Sequence, residues 1–186
     1  DNVESRGLGD VYKRQDWRLL AAVMMVESAQ NRFATSSVGA QGLFQFMPAT
    51  AKAIGLNDPS DPKESSRAAA RYLKRLMRRF KQASSPYDQR MFALASYNVG
   101  HGHVDDARRL ARRLELDAEV WDQGISLTLP LLAQREFSKD AKHGSCQGLV
   151  ATRYAEHVSD LYEQYSQLLP VSPVSYTHLR AHETPR

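Results

Sequence analysis

From Leu19 to Val26 the chain is apolar on every side, and the run ends in a carboxylate, Glu27. A helix hydrophobic all round belongs inside a protein. A charge at the end of such a helix must reach water, find a partner or serve a reaction. The same run is far too short to cross a bilayer. It therefore calls for a folded core built around it, and 186 residues are enough for one domain without disulfides or metals. The 42% hydrophobic and 25% charged residues are ordinary for a globular chain. With 25 Lys+Arg against 21 Asp+Glu the balance is mildly basic, which suits an anionic polymer but falls short of a nucleic-acid signature.

Helix signals dominate the rest. Asp16 is placed to cap a helix from Trp17 to about Ser28, and Pro48 suits the first turn of a short helix ending near Gly55. Asp61-Pro62-Lys63-Glu64 reads as a cap, a first-turn proline and a capping-box glutamate. In the long helix that follows, Ala69, Tyr72, Leu73, Leu76, Met77 and Phe80 form a core-facing stripe. Arg67, Arg71, Lys74, Arg75, Arg78 and Arg79 take the other positions; a solvated face is the bland assignment and a polymer-binding stripe the alternative.

A second mostly apolar helix, Gln89 to Val99, ends in Tyr97 and Asn98, so two buried helices deliver polar groups from their C-terminal ends. Further helices are expected over "DDARRLARRLE", "LPLLAQREF" and the segment containing Tyr154, Val158, Leu161, Tyr162, Tyr165 and Leu168. Between the first two helices, "NRFATSSVGAQGLFQF" is turn-rich or a short hairpin. The class is mostly α.

These residues carry a resemblance. Glu27-Ser28, "SSVGAQGLFQFMPATAKAIGL", "ALASYNVG" and the tyrosine of "ATRYAEHV" resemble, in order, the motifs of the lytic transglycosylases. Within that family, "DWRLLAA", "RAAARYLKRL", "GHVDDARRLA" and "LPLLAQ" are most similar to the C-terminal catalytic domains of the membrane-bound F group. The resemblance covers about residues 16 to 166 and implies a single lysozyme-like domain of the goose-type lysozyme and SLT kind. It implies Glu27 as catalytic acid and base, with Ser28, Gly42, Leu43, Gln45, Tyr97, Asn98 and Tyr154 on the substrate side. Phe44 replaces the methionine of the Gly-Leu-Met-Gln motif, Ser96 replaces an alanine, and Val150-Ala151 departs from the residues usual ahead of the tyrosine.

The implied activity is cleavage of the MurNAc-β-1,4-GlcNAc bond of peptidoglycan with closure of a 1,6-anhydro ring. No cofactor, metal or nucleic acid is involved, and the setting is the bacterial periplasm or outer membrane. A glutamic acid at the end of an apolar helix has the raised pKa such chemistry needs. The rivals are a hydrolytic lysozyme in which Asp105 or Asp106 positions water, and a glycan-binding module without turnover. His101 and His103 lack a third ligand nearby and read as exposed loop histidines; Asp105 and Asp106 read as first-turn acids and Cys146 as inert. Residues 1–15 and 171–186 lack a periodic apolar face and resemble translated adapter read-through, leaving 16–170 as the expected domain.

Overall fold

The computed structural model describes residues 16–169; the segments expected to be non-native, 1–15 and 171–186, lie outside the described residues, as does residue 170 of the expected domain. Among the described residues eight α-helices follow one another: α1 (Trp17–Ser28), α2 (Pro48–Ile54), α3 (Pro62–Arg79), α4 (Pro86–Val99), α5 (His101–Arg113), α6 (Ser126–Leu131), α7 (Arg135–Ser138) and α8 (Gly148–Leu168). A π-helical turn, Trp121–Ile125, leads into α6. No helix among the described residues is long and apolar enough to cross a membrane.

Helix α8 is the hub. It packs on α4 and α1 and receives α6 at its N-terminal end, while α3 and α5 lie against α4. Helix α4 is buried along most of its length, from Met91 through Ser96, and α1 buries Leu19, Leu20, Ala22 and Val23. Each such large apolar side chain contributes roughly 1.5–3 kcal/mol on burial. The core-facing stripe of α3 behaves as its spacing predicts: Ala69, Leu73, Leu76 and Phe80 are buried, and Tyr72 and Met77 are partly so.

The helix starts are fixed by side chains. Asp16 accepts from the Arg18 amide, and Asp61 accepts from the Glu64 amide. Glu64 does not close the expected capping box, however; its carboxylate turns outward to accept from the amides of Asn57 and Asp58, securing the preceding loop instead. Helix α4 starts at Pro86, three residues before the expected Gln89, because Ser85 caps it by accepting from the Asp88 amide. Buried Asp88 in turn accepts from the Trp121 amide at 2.8 Å, joining α4 to the π turn.

Helix α5 also starts early, at His101. His101 and His103 are therefore helical, not loop residues, and Asp105 and Asp106 lie in the second turn, not the first. Asp106 is buried and accepts from the amides of Lys142 and His143 while pairing with Arg109, which pins the 141–147 segment onto α5. Asp105 pairs with Arg79 of α3. The expected helix over "LPLLAQREF" is split, with Pro130 in the last turn of α6 and Gln134 opening α7. The glycine segment is turn-rich: it holds only isolated bridges, Thr35 with Gln41 and Gln41 with Phe46, and no strand occurs among the described residues.

Gly148 marks the tightest helix junction, since a Cβ there would overlap the carbonyl of Leu129. Gly148→Ala is expected to cost about 1–3 kcal/mol by overpacking, lowering the melting temperature by roughly 2–4 °C per kcal/mol. Thermal melts of the two proteins at one pH check this.

Candidate active site

The end of α1 determines where Glu27 goes. Ala29 adopts a left-handed conformation, φ 49°, and its amide closes on Met25, so the helix stops at Ser28, one residue after Glu27. Gln30 also has positive φ, 68°, and the chain turns away at once. Glu27 is thereby left on the last turn, partly buried, with its carboxyl against α8. There the Tyr154 hydroxyl donates to Glu27 Oε1 at 2.7 Å.

Two influences of opposite sign act on that carboxyl. Removal from water is the larger and raises its pKa from 4.5 to about 7; the Tyr154 hydrogen bond favours the charged form and limits the rise. No other carboxylate among the described residues contributes to the shift. The neighbouring phenols respond in kind. Burial, and then the charge of Glu27, push Tyr154 and Tyr97 well above the usual phenol value, so both stay protonated and keep a proton to donate.

Ser28 ties the helix end to the glycine turn. Its Oγ donates to the Leu43 carbonyl at 2.9 Å and lies 3.3 Å from the Met24 carbonyl. The turn closes through reciprocal amide bonds between Gln41 and Phe46. Gly42 has φ +76° and faces the Pro59 carbonyl so closely that a Cβ would overlap it. Any side chain here would be both strained and excluded. The Gln45 amide nitrogen donates to the carbonyls of Gly42 and Ala34, at 2.9 and 3.1 Å, so this side chain braces its own turn.

Tyr97, from the end of α4, donates to the Phe44 carbonyl at 2.8 Å and stacks in parallel on Tyr154, centroids 6.5 Å apart. Glu27, Ser28, Leu43, Tyr97 and Tyr154 are thus linked by direct contacts from α1, the glycine turn, α4 and α8. Asn98 is exposed at the end of α4 and makes no side-chain hydrogen bond to any of them.

Two aromatic residues join this group without having been singled out for it. Tyr72 of α3 packs against Tyr97 at 5.5 Å and against Phe46 at 5.8 Å, and Phe46 lies 5.6 Å from Tyr97. The spacing of α3 marked Tyr72 as core, and Phe46 carried no assignment in its turn-rich segment; only the fold shows that both adjoin Tyr97 and, through Tyr154, the Glu27 carboxyl. The other sequence candidates lie elsewhere. Asp105 and Asp106 are occupied by Arg79, Arg109 and backbone amides. Cys146 is half-buried, with burial pushing its thiol up to about 11. No group of three or more His, Cys, Asp or Glu side chains among the described residues is placed to hold a metal ion.

Comparison with known proteins gives the family. Residues 10–119 match the Transglycosylase SLT domain family. The chain is 38% identical over 152 residues to membrane-bound lytic murein transglycosylase F of Desulfosudis oleivorans, covering 82% of this chain and 33% of that protein. It is 40% identical over 149 residues to the protein of the same name from Shewanella loihica, covering 80% and 31%. The chain thus spans about one third of the length of these relatives. Among solved structures, the 70 kDa soluble lytic transglycosylase of Escherichia coli superposes with a TM-score of 0.52 at 21% identity, over 87% of this chain and 24% of that one. That likeness carries the lysozyme-like fold. A mostly helical domain with an isolated, desolvated glutamic acid at the end of a core helix, matched over more than half its length, belongs to the SLT transglycosylase family.

Proposed function

We propose that this domain is a peptidoglycan lytic transglycosylase that cleaves the MurNAc-β-1,4-GlcNAc bond, with Glu27 acting first as acid and then as base. The observation that carries the reading is a single carboxyl near pH 7 in its titration, with one donor on it and no second carboxylate acting on it. Hydrolytic glycosidases generally use two carboxyl groups, one of them to activate water or attack the sugar. Asp105 and Asp106, the residues a water-activating lysozyme would need, are bound to arginines and amides instead.

In this mechanism Glu27 protonates O4 of the departing GlcNAc while the acetamido oxygen of MurNAc bonds to C1. The carboxylate so formed takes the proton of the C6 hydroxyl, O6 attacks C1, and the acetamido group is released. One C1–O4 bond breaks, one C1–O6 bond forms, and a proton moves from O6 to O4 without water. A pKa near ambient pH suits a group that must give a proton and then take one. Tyr154 holds the carboxyl in place and steadies its charged form between the two steps. Ser28, Gly42, Leu43, Gln45, Tyr97 and Asn98 are proposed to face the glycan. Gly42 permits close backbone approach, and Gln45 acts mainly by fixing the turn. The site is the murein layer of the envelope, in keeping with relatives called membrane-bound murein transglycosylases. No cofactor, metal or nucleic acid enters the scheme.

Digestion of purified sacculi tests the reaction. The muropeptides are expected to end in 1,6-anhydroMurNAc, lighter by about 18 Da than products of a water-activating glycosidase; reducing MurNAc ends would refute it. For the turn, Gln45→Ala is expected to lower cleavage by an amount equivalent to about 1–3 kcal/mol, the cost of stranding a bonded polar group. Initial rates on sacculi, with circular dichroism as a check on folding, measure that loss.

Glu27→Gln is expected to abolish turnover yet stabilise the domain above neutral pH. The folded state holds the Glu27 proton up to about pH 7, whereas the unfolded chain releases it near 4.5. Stability therefore falls as pH rises through that interval and is level above it. Glutamine still accepts from Tyr154 and carries no charge, so the variant is expected to gain on the order of 3 kcal/mol at pH 8 and little at pH 4. Denaturant titrations at the two pH values, read with sacculus assays, check both halves.

A further inference from the structure

All four arginines of α5 have acids. Arg108 and Arg112 share Glu119, Arg109 takes Asp106 and Arg113 approaches Asp140. On α3 the pattern is different. Arg79 pairs with Asp105, but Arg71, Arg75 and Arg78 are exposed and have no carboxylate within 4 Å among the described residues. Positions 71, 75 and 78 follow one another on one helix face. The only acid on α3 itself, Glu64, is turned to the loop ahead of the helix. A positive strip without counter-charge is thus held on α3, whereas the arginines of α5 are neutralised locally.

The strip is joined to the active site by aromatic rings. The Arg75 guanidinium lies over the Tyr72 ring, 5.0 Å from its centroid. Tyr72 contacts Tyr97 at 5.5 Å, and Tyr97 stacks on Tyr154, which holds Glu27. Successive ring contacts of the partly buried Tyr97 and Tyr72 thus connect the Glu27–Tyr154 pair to the Arg75 guanidinium. An extended peptide of four or five residues spans about 15 Å, the scale of three successive ring contacts.

We propose that Arg75, flanked by Arg71 and Arg78, receives the carboxylates of the short acidic peptide carried by N-acetylmuramic acid, so that the domain favours peptide-bearing strands over bare glycan. This rests on the transglycosylase reading and adds to it a determinant of substrate choice remote from Glu27. The peptide supplies the counter-charge that the α3 strip lacks in the folded chain. Guanidinium groups bind carboxylates in forked pairs, and Arg75 is already oriented by its aromatic neighbour.

The test compares kcat/KM on peptide-bearing glycan strands and on strands stripped of peptide by an amidase. For the wild-type protein the ratio is expected to favour peptide-bearing strands by about tenfold at low salt, the scale of a few exposed charge pairs. It should shrink toward unity near 0.5 M salt, where screening is roughly complete over a few ångströms. In the triple variant Arg71→Gln, Arg75→Gln, Arg78→Gln the ratio is expected to fall to about one through a rise in KM for peptide-bearing strands alone. A ratio unchanged in the variant, an equal loss on both substrates, or a wild-type preference insensitive to salt would overturn the proposal. The salt series decides the matter if the triple variant does not fold. Binding to phosphatidylglycerol vesicles that the variant loses, with the ratio unaltered, would assign the cations to a membrane surface and also overturn it. A wild-type protein that cleaves neither substrate refutes the underlying transglycosylase reading, and this inference with it; cleavage of both without preference refutes this inference alone.

Discussion

The contact on which the site depends is the hydrogen bond from Tyr154 to Glu27, because it ties the hub helix to the helix that carries the acid. Its two ends are 127 residues apart in the chain. Burying Glu27 at the edge of a hydrophobic core would leave a charged carboxylate without solvation, and desolvation accordingly keeps its proton on to about pH 7. The phenol, itself kept protonated by burial, favours the charged form and so limits the rise in the carboxyl's pKa without cancelling it.

The rest of the fold can be understood as support for that arrangement. Ser28 fastens the end of α1 to the glycine turn, Tyr97 fastens the turn to α4, and stacking of Tyr97 on Tyr154 completes a ring of contacts through α8. The four segments that meet here come from the two ends and the middle of the chain. None can shift alone without breaking a buried hydrogen bond or a ring contact. Away from the site the buried acids have other duties: Asp88 joins α4 to the π turn, and Asp106 fixes the 141–147 segment. Of these three carboxyls, Glu27 alone is bound neither to a cation nor to a backbone amide among the described residues.

Much of this was legible in the sequence because the helices that matter announce themselves locally. Asp16 and Asp61 cap where their positions say, and apolar spacing marks Leu73, Leu76 and Phe80 of α3 and Tyr154 and Val158 of α8 as buried, although Leu168, expected on the same α8 face, is exposed where the helix runs past the core. What sequence reading missed has identifiable causes. Helix α5 starts after a glycine of φ +91° with no side-chain cap, so nothing in the side chains marks its first turn. Glu64 fits a capping box by spacing, but the amides of Asn57 and Asp58 compete for it, and loop geometry decides. The break between α6 and α7 follows a π turn that no periodicity signals. Glu27 stood out as a charge closing an apolar helix, whereas its pairing with Tyr154 came from family resemblance, since no local rule reaches so far. Tyr72 was placed correctly in the core stripe, but its role beside Tyr97 depends on how α3 and α4 cross.

The central claim is that the folded protein holds Glu27 as a desolvated carboxyl that titrates near neutrality under the restraint of Tyr154. Carbon-13 NMR titration of the Glu27 side-chain carboxyl measures this directly, in the wild-type domain and in Tyr154→Phe. The account predicts a midpoint of about 7 in the first and a higher one in the second, because the variant loses the bond that favours the charged form. A midpoint near the ordinary 4.5, or one that falls when the phenol is removed, would contradict it.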